Sequence, residues 1–126
     1  MTGVLLVAAG GAVGAAARYL AGLWIAARIG AGFPWGTFFV NVTGSFLIGL
    51  ILVLVERGTL PAEARLFLAV GVCGGYTTFS SFSYESLQLL DGGAAGPFLL
   101  NVLGQTLLCL LAVYLGVVSA RALGGL

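Results

Sequence analysis

The sequence predicts an all-α membrane protein with four transmembrane helices per subunit. Its 126 residues are 60% hydrophobic and only 7% charged, whereas charged residues make up about 25% of an average globular domain. Five basic and four acidic side chains cannot cover a water-facing surface. Four apolar stretches, each at least as long as the roughly 20 residues that a membrane-spanning helix needs, fill almost the whole chain. One transmembrane domain over residues 1–126 is therefore expected.

Charged residues mark the ends of the first two spans. The first span covers about residues 3–27 and stops at Arg28, and the second covers about residues 36–55 and stops at Glu56 and Arg57. Each is long enough to cross the hydrocarbon core as a helix.

Turn-forming and charged residues also delimit the last two spans. Pro61 precedes the third span, residues 62–90, and Asp91 closes it, while the fourth covers about residues 97–119 and is followed by Arg121. The few arginines are divided between the two sides of the membrane, so the positive-inside rule sets no firm orientation. Insertion in both orientations is compatible with this small bias.

The charge inventory excludes several classes of function. A net charge of +1 provides no basic surface for nucleic acid. The sequence contains neither His nor Lys, which removes most acid–base catalysts near neutral pH and the most common metal ligand. We therefore expect neither an enzyme nor a nucleic-acid partner.

Polar side chains recur every four residues in the second and fourth spans. Such side chains either form hydrogen bonds between helices or line a pathway. For the second-span residues around Asn41 we favour a pathway, and for the fourth-span residues we favour hydrogen bonds between helices. Cys73 and Cys109 are interpreted as small packing residues at mid-span. The polar residues are Thr37, Asn41 and Ser45 in the second span and Asn101, Gln105 and Cys109 in the fourth.

The third span has a composition that suits an uninterrupted helix poorly. Gly74 and Gly75 are followed by Thr77 and Thr78 at its centre. Either the helix is broken at mid-membrane, or the glycines only permit close packing. We favour the break, which would free carbonyl groups that attract a cation.

Two phenylalanines follow the predicted break at helical spacing. Phe79 and Phe82 share one face, and Ser80 and Ser83 share the neighbouring face. Phenylalanines at this spacing often face lipid or a core, but hydroxyl groups interleaved with positive ring edges could line a narrow anion pathway. Weak partial charges of this kind allow an anion to enter and to leave.

Two ionisable residues lie inside the spans. Arg18 either extends to the interface or lies in an aqueous vestibule that concentrates anions. Glu85 is either interfacial or an acid in a polar track through the membrane, and we favour the second interpretation.

The sequence resembles the Fluc or CrcB family of small bacterial and archaeal fluoride channels. The resemblance covers essentially the whole chain and is carried by three segments: GGAVGAAARY at residues 10–19, GTFFVNVTGSFLIG at residues 36–49, and GVCGGYTTFSSFSYE at residues 71–85. The last two follow the family pattern in both spacing and residue identity.

The resemblance implies an antiparallel, dual-topology homodimer in the inner (plasma) membrane. It implies two fluoride pores, each lined by both subunits, and passive export of fluoride that lowers its toxicity. It also implies a structural sodium ion at the dimer interface, held by the carbonyl groups of Gly74 and Thr77 on a third helix broken at mid-membrane.

The family's functional residues match positions of this sequence. By resemblance, Arg18 is the vestibule arginine and Glu85 is the acid of the polar track. The resemblance assigns these residues to the fluoride pore: Phe79, Phe82, Asn41, Thr37, Ser80, Ser81 and Ser83.

Three other interpretations remain at this point. A proton-coupled exporter of the small multidrug type has a similar size, but such exporters resemble one another in a lone acid in the first span, where this chain has Arg18. An intramembrane enzyme lacks candidate catalytic residues, and a non-conducting assembly subunit would have no activity of its own.

Overall fold

The computed structural model describes residues 1–123, and within them every regular element is helical. Helix α1 covers Thr2–Ile29 and helix α2 covers Trp35–Glu56. Together with the helical stretches Ala62–Asp91 and Ala95–Leu123, they give four helical lengths that are long and apolar enough to cross a membrane. The predicted all-α class with four membrane helices is therefore confirmed.

The third helical length consists of two helices separated by two extended residues. Helix α3 comprises Ala62–Ala64, a π-helical stretch Arg65–Cys73, and Gly74–Tyr76. Thr77, with ψ 159°, and Thr78, with φ −153° and ψ 114°, both have extended backbone.

Helix α4, Phe79–Asp91, begins directly after these two residues. The paired glycines are helical, because Gly74 has φ −62° and ψ −38° and Gly75 lies within Gly74–Tyr76. The backbone thus leaves helical geometry at the threonines and not at the glycines.

The last helix also contains a π-helical stretch. Helix α5 comprises Ala95–Leu99, the π-helical residues Leu100–Gly104, and Gln105–Leu123. Single-turn π-helical stretches are rare and are often found at functional sites.

Glycines bring the backbones of α1 and α3 into direct contact. A methyl group added to Gly75 would lie 2.5 Å from the Gly11 carbonyl oxygen, and one added to Gly71 would lie 2.8 Å from the Gly10 Cα. Methyl groups on Gly10 or Gly14 would overlap backbone atoms of α3. Small residues allow this close approach where lipid provides no hydrophobic driving force between helices.

Helices α2 and α5 pack in the same way. A methyl group on Gly49 would lie 2.5 Å from the Val113 carbonyl oxygen, and one on Gly116 would overlap the Phe46 carbonyl oxygen. Large apolar side chains cover the outside of the molecule, as expected for a surface in contact with lipid. Examples that are more than half exposed are Leu5, Leu20, Leu107, Leu110 and Tyr114.

Candidate functional site

The two extended threonines lie at the centre of the candidate site, and Asn41 on α2 binds the backbone of the second one. The Thr78 amide donates to Asn41 Oδ1 over 2.7 Å, and Asn41 Nδ2 donates to the Thr78 carbonyl over 3.0 Å. Asn41 therefore replaces, for Thr78, both backbone partners that a continuous helix would supply. Because lipid cannot hydrogen-bond to free backbone groups, this side chain makes the interruption tolerable in an apolar environment.

Thr78 also forms the N-cap of α4. Its hydroxyl oxygen accepts a hydrogen bond from the Ser81 amide over 3.2 Å, and its hydroxyl group donates to Ser81 Oγ over 3.1 Å. A third hydroxyl, that of Ser80, lies 3.3 Å from Thr78 Oγ1. Threonine is a favoured N-cap because its oxygen satisfies an amide that has no partner within the helix.

Phe79 and Phe82 form a pair on the first turn of α4. Their ring centroids are 5.4 Å apart and their planes are inclined by 45°, an arrangement that brings positive ring edges toward neighbouring space. Phe79 is 79% exposed, so its ring lies on the outside of this single chain.

Both rings border a pocket of about 360 Å³, which we call the phenylalanine pocket. Residues of α2, of the end of α3 and of α5 complete its wall. They include Asn41, Ser45, Gly74, Thr77, Gln105 and Cys109.

Gly74 and Thr77, at the C-terminal end of α3, both line this pocket. In a continuous helix the Thr78 amide would donate to the Gly74 carbonyl, but here it donates to Asn41. The Gly74 carbonyl therefore loses its helical donor, and Gly74 itself is exposed. Thr77 adds a further carbonyl at the end of the helix, where carbonyl oxygens carry partial negative charge.

A second, larger cavity lies on the other side of Thr78. This cleft of about 750 Å³ is lined by Arg18, Thr37, Ser81 and Glu85, among others. Thr78 lines both the cleft and the phenylalanine pocket, so this residue forms part of the partition between them.

Glu85 and Thr37 form a direct contact within the cleft. The Thr37 hydroxyl donates to Glu85 Oε1 over 2.9 Å, which links α2 to α4. The second carboxyl oxygen, Oε2, is buried and has no hydrogen-bond partner among the described residues. A buried carboxyl oxygen without a hydrogen-bond partner is energetically costly.

Two of the predicted pore residues lie outside both cavities of this single chain. Ser80 and Ser83 are exposed, and neither lines the cleft or the phenylalanine pocket. The Ser83 hydroxyl donates to the Phe79 carbonyl over 2.9 Å within the same helix.

Three buried polar residues adjoin the site on its α5 side. Gln105 Oε1 accepts a hydrogen bond from Asn41 Nδ2 over 2.5 Å, and Asn101 Nδ2 donates to Ser86 Oγ over 2.9 Å. The prediction that the fourth-span residues form hydrogen bonds between helices is thus confirmed for Asn101 and Gln105. The part played by Ser86 was missed, although its polarity within an apolar span was a usable signal.

Comparisons with known proteins agree on one family. A family model described as "CrcB-like protein, Camphor Resistance (CrcB)" matches residues 5–117. Among curated proteins, one from Thermus thermophilus is 58% identical over 121 residues, which are 96% of this chain and 95% of the relative. One from Rhizobium meliloti is 49% identical over 125 residues, which are 98% of this chain and 99% of the relative. Both relatives are named "Fluoride-specific ion channel FluC".

Proposed function

This chain belongs to the CrcB-like protein family, and we propose that it forms a passive, fluoride-selective ion channel that exports fluoride from the cytoplasm. The family consists of fluoride ion channels and not of enzymes. Four membrane-capable helices agree with a multi-pass membrane protein, and we propose the inner (plasma) membrane as its location.

The observation that carries the proposal is the pair of phenylalanines placed directly after an interruption in an apolar span. Phe79 and Phe82 lie on the first turn after the extended threonines and border one pocket. Their ring edges, together with hydroxyl groups and amide dipoles, offer partial positive charge without a full cation. A small anion must exchange its water for such groups and must still be able to leave.

The remaining predicted pore residues fit this interpretation to different degrees. Thr37 and Ser81 line the cleft and Asn41 lines the phenylalanine pocket, so these three bring polar groups to both sides of Thr78. Ser80 and Ser83 are exposed beside the phenylalanines. We propose that these two serines join the pore wall once a second subunit covers this face.

We further propose that the active form is an antiparallel homodimer with two pores. One chain leaves Phe79 exposed and leaves the phenylalanine pocket open, so a second copy is needed to close a narrow pathway. A two-fold axis would place the same surface of each subunit against the other and would generate two equivalent pores. Dual-topology insertion would supply subunits in both orientations.

The interrupted third span, which we propose lies at mid-membrane, would also hold a structural sodium ion. Gly74 and Thr77 offer carbonyl oxygens at the end of a half-helix, and the Gly74 carbonyl lacks its helical donor because Asn41 occupies the Thr78 amide. Hard cations prefer oxygen ligands, and ends of broken helices commonly coordinate Na⁺. The donor set fits, with equivalent carbonyls supplied by the second subunit.

The cleft would serve as the entrance to each pore. Arg18 would raise the local concentration of anions without lying between the phenylalanines. Glu85, bonded to Thr37, would belong to the polar track beyond the rings.

Export would need no energy source other than the membrane potential. Fluoride enters cells as neutral HF and dissociates inside, so a selective leak for the anion lowers its concentration. The charge on the anion favours its exit from a cell that is negative inside.

The decisive experiment uses purified protein in liposomes loaded with potassium fluoride. Valinomycin is added to carry the countercharge, and external fluoride is followed with a fluoride electrode. We expect fluoride efflux from protein-containing vesicles, and little chloride efflux when potassium chloride replaces the fluoride salt. Absence of fluoride efflux would contradict the proposal.

The same vesicles separate the other interpretations. Proton-linked uptake of a cationic drug without fluoride efflux would favour a multidrug-type exporter. An intact dimer that passes neither fluoride nor drugs would favour a non-conducting subunit.

A further inference from the structure

A chain of hydrogen bonds, buried at its centre, runs from the N-cap residue of α4 to the first turn of that helix. The Thr78 amide donates to Asn41 Oδ1 over 2.7 Å, and Asn41 Nδ2 donates to Gln105 Oε1 over 2.5 Å. Gln105 Nε2 donates to Asn101 Oδ1 over 3.0 Å, and Asn101 Nδ2 donates to Ser86 Oγ over 2.9 Å. The Ser86 hydroxyl donates to the Phe82 carbonyl over 2.6 Å. We call this series the amide chain.

The two ends of the amide chain fix the orientation of every group in it. The Thr78 amide can only donate and the Phe82 carbonyl can only accept. The oxygen of Asn41 must therefore face Thr78, and its nitrogen is left to face Gln105. By the same argument, the nitrogen of Gln105 faces Asn101, and the nitrogen of Asn101 faces Ser86. All five hydrogen bonds run in one direction, a geometry in which neighbouring bonds polarise and strengthen one another.

The side chains in the middle of the amide chain are buried. Asn101 is 0% exposed, Gln105 is 3% exposed and Ser86 is 5% exposed. If one of these residues were replaced by an apolar residue, its two neighbours in the amide chain would each lose a hydrogen-bond partner. Lipid cannot satisfy the polar groups left without a partner.

The amide chain ties one helical turn to two other helices. Its ends are the N-cap residue Thr78 and the carbonyl of Phe82. Between them it passes through Asn41 on α2 and through Gln105 and Asn101 on α5. The turn between these ends carries both phenylalanines. Movement of this turn relative to α2 and α5 therefore requires breaking at least one hydrogen bond of the amide chain.

We propose that Gln105 and Asn101 are positioning residues of the pore, which act through Asn41 and Ser86 to set the location of Phe79 and Phe82. This assignment rests on the proposed channel function. Neither residue needs to contact the ion for this role, because the oxygen and the nitrogen of each amide already bind its neighbours in the amide chain. If one hydrogen bond of the amide chain is removed, we expect Phe79 and Phe82 to be misplaced. Fluoride flux should then fall, and chloride should be excluded less strictly.

Ser86 and Ser119 provide a matched pair of substitutions. Each hydroxyl donates to the carbonyl four residues earlier in its own helix, over 2.6 Å for Ser86 and 2.7 Å for Ser119. Only Ser86 also accepts a hydrogen bond from another helix. We expect Ser86→Ala to lower fluoride flux by about fivefold or more, the effect of one lost buried link, and Ser119→Ala to leave it unchanged. Equal flux in the two variants would overturn the proposal.

Gln105 allows a test of the hydrogen-bond pattern rather than of side-chain volume. In Gln105→Glu, the protonated carboxyl group can accept from Asn41 and donate to Asn101, whereas the ionised group can only accept. Flux through this variant should therefore fall as pH rises from about 5 to about 8, and flux through Gln105→Leu should be low at every pH. The unsubstituted channel controls for the nearby titratable groups Cys73, Cys109 and Glu85. A Gln105→Glu profile parallel to that of the unsubstituted channel would contradict the proposal.

Hydrogen–deuterium exchange in nanodiscs gives a readout that does not depend on conduction. Gln105→Leu should speed exchange of amides in residues 79–86 by about fivefold or more, with residues 36–55 unchanged. If Gln105→Leu does not fold, Ser86→Ala is measured in its place. Unchanged exchange in α4 would overturn the positioning role, whether or not the unsubstituted protein conducts. Faster exchange in a protein without fluoride flux would instead leave the positioning role in place and contradict the proposed function.

Discussion

The two halves of the third span are held in place by two different kinds of contact. Helix α3 meets α1 through glycines, with Gly71 and Gly75 lying against Gly10 and Gly11 at backbone contact distance. Helix α4 contains no glycine and is held by side-chain hydrogen bonds, among them Thr37 to Glu85 and Asn101 to Ser86.

This difference separates what holds the fold together from what shapes the site. Glycine contacts depend on volume, so a single added methyl group has nowhere to go in a densely packed interface. Hydrogen bonds depend on direction, so their loss can displace a helix turn while the rest of the molecule stays packed. We therefore expect substitutions in the α1–α3 interface to affect folding and substitutions around α4 to affect conduction.

The largest effect is expected for Gly14→Val at the α1–α3 interface. Even one methyl group at this position overlaps the Val72 carbonyl oxygen, and it would lie 2.8 Å from the Tyr76 amide nitrogen. Because both are backbone atoms, the helices must separate, and overpacking of this kind typically costs about 1–3 kcal/mol or more. We expect little folded dimer on size-exclusion chromatography. Recovery of a normal dimer peak would show that volume does not control this interface.

Phe82→Ile should abolish or strongly reduce fluoride flux while the dimer still assembles. The substitution keeps an apolar side chain but removes the ring edge that we place against the ion. Liposome efflux measures the effect, and size-exclusion chromatography confirms assembly.

Phe39→Ile is the matched control for that substitution, because Phe39 is an exposed phenylalanine on α2 away from both cavities. Flux should be close to that of the unsubstituted channel. Equal flux through the Phe82 and Phe39 variants would contradict the assignment of the pore.

Asn41→Ala should also strongly reduce flux without preventing assembly. It leaves the Thr78 amide, the Thr78 carbonyl and Gln105 Oε1 without their hydrogen-bond partner. Each unsatisfied buried group costs about 1–3 kcal/mol, so the extended segment should lose its defined geometry. Flux is measured in liposomes as for Phe82→Ile, and a variant that conducted normally would show that this segment keeps its shape without Asn41.

Gly11→Ala should have the smallest effect. Gly11 is next to Gly10, yet a methyl group at position 11 meets no atom within 4 Å. Alanine is a better helix former than glycine by about 0.8–1.0 kcal/mol, so dimer yield and thermal stability should be equal or slightly higher. A clear loss of dimer would mean that this position is covered by another chain.

The fold class could be predicted from sequence, whereas the exact location of the extended residues in the third span could not, and the assignment of residues to the pore stays a prediction. Hydropathy and charged boundaries were sufficient to predict four spans, because each span must match the thickness of the bilayer. Gly74 and Gly75 drew attention by their low helix propensity, yet they are helical, and the extended residues are Thr77 and Thr78. The deciding contact comes from Asn41, which is 37 residues away in the chain.

The hydrogen-bond partners of the polar side chains in the fourth span were equally hard to predict from sequence. Periodicity placed Asn101 and Gln105 on one face of a helix, and that was sufficient to predict hydrogen bonds to another helix. Periodicity contained no information about the partner, because Ser86 lies on a different helix whose rotation depends on where the third span is interrupted.

The central claim is that this chain conducts fluoride passively and selectively, and electrical recording tests it most directly. Purified protein is inserted into a planar bilayer with a tenfold fluoride gradient and equal chloride on both sides. The current through a fluoride-selective pore should reverse at about 59 mV in magnitude, the equilibrium potential of a monovalent ion at this gradient. A reversal potential near zero, or the absence of current from folded, inserted protein, would contradict passive and selective fluoride conduction.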